Sequence, residues 1–226
     1  MGYHGQPPDR RQRIVVGGGI AYVLGHCMDA NAHTDKGRWT PQTQMLRSIQ
    51  AWIDGSPHQP RRALSIDVNE SLDQMILARW PGVEIVRATY PQVDCQHLPM
   101  ADASFDLVYS NQVLEHIPRP WLAAAEIVRV LRPGGIGIHT TCTFNPRHGP
   151  PHFEDYYRFL KAGLAELFDG VRILQLDEWG NAEAIRHNVS VDDGHGKLGG
   201  RRFDEQIGSR SDGLYPWVVW ITFEKQ

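Results

Sequence analysis

Cysteine is scarce in this chain of 226 residues: there are three, Cys27, Cys95 and Cys142. They are too few and too widely spaced for a disulfide framework or a zinc knuckle, and they fit a reducing cytosol in which a small thiol simply packs. No apolar run approaches the roughly 20 residues that a membrane helix needs. The segment from Met1 to Arg13 is polar and has no apolar core of the signal-peptide kind, so a cytoplasmic location without a membrane partner is expected. An excess of one charge is lacking as well. Lys and Arg number 23 against 26 Asp and Glu, for a formal net charge of -3. The basic residues fall in short clusters such as Arg61-Arg62 and Arg201-Arg202, which disfavours a nucleic-acid partner. Repeats and low-complexity tracts are absent. What is present is an apolar fraction of 41%, enough to build the core of one α/β domain over residues 1–226.

Apolar periodicity orders the chain into alternating strands and helices. Strands are expected at Arg13 to Val16, Arg62 to Asp67, Val83 to Ala88, Phe105 to Ser110, Ile136 to Thr141, Val171 to Leu176 and Trp217 to Phe223. Helices are expected at Pro41 to Asp54, stopped by Gly55-Ser56-Pro57, and at Ser71 to Trp80, ended by Pro81-Gly82. Two more are expected at Trp121 to Leu131 and Phe153 to Phe168. Such alternation implies a Rossmann-like, doubly wound α/β fold with helices on both faces. The sheet is expected to be mainly parallel and seven-stranded, with an antiparallel last strand. Two stretches, about 21–40 and 181–213, are too long for simple connections and read as insertions.

In an open parallel sheet, ligands sit at the carboxyl ends of the strands. The segment Asp94-Cys95-Gln96-His97-Leu98-Pro99-Met100-Ala101-Asp102-Ala103-Ser104-Phe105-Asp106-Leu107-Val108-Tyr109-Ser110-Asn111-Gln112-Val113-Leu114-Glu115-His116 sets an acid, a Leu-Pro turn and a buried strand in that order. It resembles, without a gap, the D-A-x-x-L-P-F-x-D-x-S-F-D-x-V-x-x-x-x-V-L-E-H segment of class I S-adenosylmethionine-dependent methyltransferases. Leu131-Arg132-Pro133-Gly134-Gly135 is also what that family places before its fifth strand. By resemblance, Asp94 would accept a hydrogen bond from the adenine amino group. The backbone N–H of Cys95 would meet a ring nitrogen, and Asn111 would lie against the methionine part of the cofactor. Taken alone, Asp94 would read as a turn-capping carboxylate.

Two readings compete for the opening strand of the cofactor pocket. In one, Ala63 to Val68 opens the sheet and the loop Asp67 to Glu70 stands in for the family's glycine-rich turn, although it holds no glycine. In the other, Ile14-Val15-Val16 opens it and Gly17-Gly18-Gly19 forms the turn, where glycine would let the backbone approach the ligand. Ser65-Ile66-Asp67-Val68 then resembles the family's second-strand end, whose acid grips both ribose hydroxyls, and this reading is preferred. Asp67 faces the cofactor in either case, with Val68 beside it.

Methyl transfer from a sulfonium is an in-line displacement, so the protein holds donor and acceptor together and removes a proton when the acceptor is a hydroxyl. The stretch Thr143 to Phe159 gathers His148, His152, Asp155, Tyr156 and Tyr157 and resembles the D-Y-x-R-F element of small-molecule methyltransferases. The expected base is His148 or His152 with Asp155 as its orienting partner, or Asp155 itself. For any one of the 11 histidines, a surface or capping role is the usual outcome. His33, Trp39, His116, Tyr156 and Tyr157 are expected to touch the acceptor. His187, Asp192, Asp193 and His195 match no metal-ligand template, and no metal is expected. Polar and aromatic lining suits a hydroxyl-rich molecule, so the expected reaction is O-methylation of a saccharide. N-methylation of a small amine and a non-catalytic protein of the same fold are the alternatives. S-adenosylmethionine is the expected cofactor and a homodimer the expected assembly. A nicotinamide oxidoreductase would leave Asp94 to His116 unexplained.

Overall fold

The computed structural model describes residues 11–16, 19–24, 41–145, 147–148, 154–189 and 205–226. Its centre is a six-stranded sheet in the order β4-β3-β5-β6-β8-β7. The strands are β3 (Arg62–Ile66), β4 (Glu84–Ala88), β5 (Phe105–Asn111), β6 (Leu131–Cys142), β7 (Val171–Trp179) and β8 (Val218–Lys225). β4, β3, β5 and β6 pair in parallel, and β8 runs antiparallel to both of its neighbours. The expected antiparallel last strand is thus observed.

Side-chain alternation explains why helices cover both faces. Along β5, Leu107 and Tyr109 pack on one face and Val108 on the other, an irregularity between Phe105 and Leu107 puts Phe105 with Val108, and each residue from Phe105 to Ser110 is buried. On the first face the strands meet α1 (Pro41–Gly55) and α2 (Glu70–Arg79) through Met45, Ile49, Ile53, Leu72 and Ile76. The opposite face meets α3 (Pro120–Val130) and α4 (Lys161–Ala165) through Ala123, Ala124, Ile127 and Leu164. Proline at the start of α3 suits its first turn, where a backbone N–H has no helical partner. Packing is tight at the sheet: a Cβ on Gly137 would come within 2.2 Å of the Phe223 ring.

Two expectations are corrected. Arg13 to Val16 does not open the main sheet. It lies in β1 (Arg11–Val16), which pairs antiparallel with β2 (Gly19–Leu24) in a separate two-stranded sheet, Val16 opposite Gly19. Two apolar runs joined by a pair of glycines favour a hairpin, whereas a parallel neighbour needs a long crossover. The main sheet therefore has six described strands rather than seven. β3 pairs directly with both β4 and β5, so the sheet realises the reading in which the 67–70 loop replaces a glycine turn.

The second correction concerns Phe153 to Phe168. Residues 154–160 are not helical, and the helix is confined to Lys161–Ala165. Side chains and backbone of 155–159 are committed to partners across the site, and those bonds compete with helical ones. Of the 181–213 excursion, α5 (Ala182–Val189) and α6 (Glu205–Gly208) are described. Asn181 ties them down, its amide donating to the Ile207 and Arg210 carbonyls at 2.7 and 2.9 Å. No helix among the described residues is long and apolar enough to cross a membrane.

Candidate active site

A cleft of about 300 Å³ opens at the carboxyl ends of β3, β4 and β5, where an open parallel sheet places its ligands. One side is formed by the turn after β3. Asp67 takes a left-handed backbone, φ 66°, which aspartate tolerates better than most residues. Neighbours hold that turn without glycine. Ser65 Oγ donates to the Asp67 carbonyl at 2.9 Å, and Asn69 Nδ2 donates to the Ile66 carbonyl at 2.8 Å. The Asp67 N–H reaches the Ala88 carbonyl at 2.9 Å, binding the turn to β4. Asp67 lines the cleft, whereas Val68 is 58% exposed and is not part of its wall.

Asp94, Cys95 and Gln96 line the same side. Asp94 caps its own turn, accepting from the Gln96 N–H at 2.9 Å and from the Gln96 amide at 3.1 Å. Turn capping and cleft lining coexist in this one carboxylate. Burial, with Asp94 adding to it, pushes the Cys95 thiol up to about 12, so it stays protonated and apolar in character.

The other side is built from the end of β5 and the turn Leu114–His116. Asn111 is directed at its neighbour strand, its Oδ1 accepting from Thr140 Oγ1 at 2.6 Å. The residue after it, Gln112, has φ 56° and lines the cleft in its place. Nothing in the sequence singled out Gln112, because its exposure to the cleft depends on that backbone turn. His116 and Tyr156 face each other across this end, with Glu154 beside them. His116 Nδ1 lies 2.9 Å from the Glu154 carbonyl oxygen.

Behind this wall lies a buried cluster of charge. The Glu115 side chain is fully buried, and its Oε2 accepts from Thr141 Oγ1 at 2.8 Å. Its backbone carbonyl receives the N–H groups of Tyr156 and Tyr157 at 2.8 and 3.1 Å. Burial pushes the Glu115 carboxyl up, against the opposing pull of its backbone hydrogen bond and Thr141. Asp155 Oδ2 accepts from Arg158 at 2.6 Å and from the His148 N–H at 3.0 Å. Burial alone would raise Asp155, but Arg158 and the His148 N–H outweigh it and hold the carboxyl down at about 2. The Tyr157 hydroxyl donates to the carbonyl of cleft-lining Pro118 at 3.0 Å, and Tyr157 is not itself part of the wall.

His148 sits between the two acids. Its Nδ1 is 3.4 Å from Asp155 Oδ2 and its Nε2 is 3.9 Å from Glu115 Oε1. The rings of His116 and His148 meet edge to face at 4.9 Å. Glu115, Cys142 and His148 each offer one ligand atom within 4.8 Å of the others, the one such group among the described residues. Burial raises both the Cys142 thiol and the Glu115 carboxyl, which favours their protonated, non-ligating forms.

The expected pairing of His148 with Asp155 is thus present in space, and His116 and Tyr156 lie at the cleft. His33, Trp39, His152, Gly17 and Gly18 lie outside the described residues, as do Asp192, Asp193 and His195. Gly19 begins β2 in the hairpin.

Comparison with known proteins gives this arrangement a context. Residues 50–138 match the family model described as a methyltransferase domain. A probable S-adenosylmethionine-dependent methyltransferase of Mycolicibacterium smegmatis is 31% identical over 166 residues, which is 70% of this chain and 59% of that protein. The chain thus spans under two thirds of that relative. Among solved structures, a putative methyltransferase in complex with the Haloferax volcanii Trm112 methyltransferase activator has TM-score 0.53 at 14% identity, covering 86% of this chain and 95% of that one. The [4+2]-cyclase SpnF has TM-score 0.52 at 18% identity, with 84% of each chain covered. At these identities the two structures establish the shared fold alone. Residues 50–138 are thus similar to a methyltransferase domain, and the Mycolicibacterium smegmatis relative is one named for S-adenosylmethionine.

Proposed function

We propose that this chain transfers the methyl group of S-adenosylmethionine to a hydroxyl of a small polar acceptor, a saccharide by preference. One observation carries the reading. A single cleft at the sheet's carboxyl edge has Asp67 and Asp94 on one side and His116 and Tyr156 on the other. The first pair suits a nucleoside: a carboxylate at the end of β3 can accept from two ribose hydroxyls, and Asp94 with the Cys95 N–H can meet an adenine edge. The second pair suits a sugar, combining an aromatic face with an imidazole.

A sugar hydroxyl is a weak acid, so its attack on the methyl group needs a base. Imidazole can be that base: the pairing of His148 with Asp155 lies behind the acceptor end and packs against His116 at the cleft. Methylation of a small amine is the second reading, favoured by the acids Asp67, Asp94 and Glu154 around the same cleft, which would attract a cation.

Calorimetry with S-adenosylhomocysteine is expected to show one binding site per chain, and its absence would remove the cofactor assignment. Transfer from methyl-labelled S-adenosylmethionine onto glycans and onto small amines separates the acceptors. Labelled sugar is the expected product, and labelled amine without any labelled sugar would give the function to the second reading. The proposed homodimer is read by sedimentation of the same sample.

A further inference from the structure

We infer that His116 is the base that takes the acceptor's proton, with His148, Asp155 and Glu115 positioning it from behind. This rests on the hydroxyl-methylating reading above and goes further in naming the atom. Among the described residues, the titratable groups lining the cleft are Asp67, Tyr90, Asp94, Cys95, His116, Glu154 and Tyr156. Asp67 and Asp94 sit at the nucleoside end, and the Cys95 thiol is protonated. Glu154 is turned to Arg147, 3.1 Å away. His116 brings an imidazole, the side chain used most often as a general base.

Its tautomer follows from its partner. Nδ1 lies 2.9 Å from a backbone carbonyl oxygen, which can only accept, so Nδ1 carries the hydrogen of the neutral ring. The basic lone pair is then on Nε2. The carbonyl that enforces this belongs to Glu154, and Glu154 is held in register because the next two N–H groups but one, those of Tyr156 and Tyr157, bond to the Glu115 carbonyl.

His148 is arranged differently. Its Nδ1 faces both Asp155 and the Asn145 amide at 3.4 Å and its Nε2 faces Glu115, and the two acid side chains are 2% and 0% exposed. Its ring edge instead packs on His116 at an interplanar angle of 75°. Such a ring fixes the orientation of its neighbour, and ionised Asp155 adds negative potential where positive charge would appear. The charged and titratable groups around His116 are Glu115 on its own turn, Arg147 and His148 after β6, and Glu154, Asp155, Tyr156, Tyr157 and Arg158 on the 154–160 segment.

In the step, the hydroxyl oxygen forms a bond to the methyl carbon while the carbon–sulfur bond breaks. The electron pair goes to sulfur and leaves neutral S-adenosylhomocysteine. The hydroxyl proton passes to His116 Nε2, and the imidazolium later releases it to solvent. Charge and atoms balance without a further reagent.

Two measurements test this. NMR of the histidine rings at pH 8 reads the tautomer without any acceptor. His116 is expected with its proton on Nδ1, and a proton on Nε2 would overturn the assignment even if methylation is confirmed. Kinetics with a hydroxyl acceptor complete the test. His116→Gln is expected to lower kcat by 100-fold or more and to abolish the acidic limb of the pH–rate profile, with S-adenosylhomocysteine affinity changed less than threefold. His148→Gln is expected to lower kcat about tenfold and to shift that limb without removing it. His116→Gln keeping kcat within threefold, or His148→Gln alone erasing the limb, would overturn the inference. A wild-type protein that methylates only amines, with His116 protonated on Nδ1, would defeat the hydroxyl reading and leave the tautomer assignment standing.

Discussion

Asp67 shows how much one residue can be asked to do. Its left-handed backbone forms the turn, its N–H ties β3 to β4, and its carboxylate faces the cleft. Replacing it by alanine would mix backbone strain with loss of a ligand. Asn is the cleaner change, because it tolerates positive φ and keeps the shape while removing the charge. Asp67→Asn is expected to weaken S-adenosylhomocysteine about tenfold by calorimetry, close to 1.4 kcal/mol, with little change in melting temperature. Asp94 illustrates a different lesson. Its turn-capping role and its motif role read as rivals in the sequence, yet the same carboxylate caps its turn and lines the cleft.

At the scale of elements, the segment 154–160 is where sequence pattern and structure part. Its apolar and aromatic spacing reads as helix, but the chain there is spent on partners: Glu115, Pro118, Cys142 and the Asp155–Arg158 pair. Glu115, Pro118 and Cys142 lie far away in sequence, so no local rule could reveal them. The Arg158 side chain spans the segment's base, bonding Asp155 and also the Asn145 carbonyl at 2.9 Å. Arg158→Leu leaves a carboxylate that is 2% exposed without its cation. Urea unfolding is expected to show a loss of about 3 kcal/mol, and Asp155→Asn in the same background should recover part of it. The hairpin of β1 and β2 is the converse case. The glycine pair between two apolar runs is plain in the sequence, where it reads as the ligand-side turn of an opening strand, but the two runs pair with each other instead.

For the molecule as a whole, acid stability follows from one residue buried in the sheet. His139 is 0% exposed, packed against the rings of Phe168 and Phe223, which also touch each other, with Nδ1 2.8 Å from Ser110 Oγ. Burial alone pulls it down from 6.5 to about 3. The folded ring is therefore neutral through the range in which the unfolded one is protonated. Its contribution is complete above pH 6.5 and is lost as pH falls toward 3. Stability should decline across that window with a slope approaching about 1.4 kcal/mol per pH unit from this group. Chemical denaturation at pH 7, 6, 5 and 4 measures it, and His139→Gln should flatten the profile. A histidine inside β6 carries no mark of this in the sequence, since strand periodicity says a position is inward but not that two aromatic rings from elsewhere in the chain cover it.

The sequence by itself determined the alternation of strands and helices, the buried β5 and the Asp94–His116 segment with its likeness to methyltransferases. Each of these is written locally, in periodicity, turn chemistry or a contiguous motif. Tertiary structure decided which strand sits at the centre of the sheet, that the glycine turn is replaced by Asp67 held by Ser65 and Asn69, and which imidazole meets the cleft. The physical reason is common to all three. Strand order, the sharing of a carbonyl between Glu115 and the 154–160 segment, and the meeting of His116 with His148 are contacts between residues far apart in the chain. Their energies depend on packing and burial, and neither exists until the sheet has closed around them.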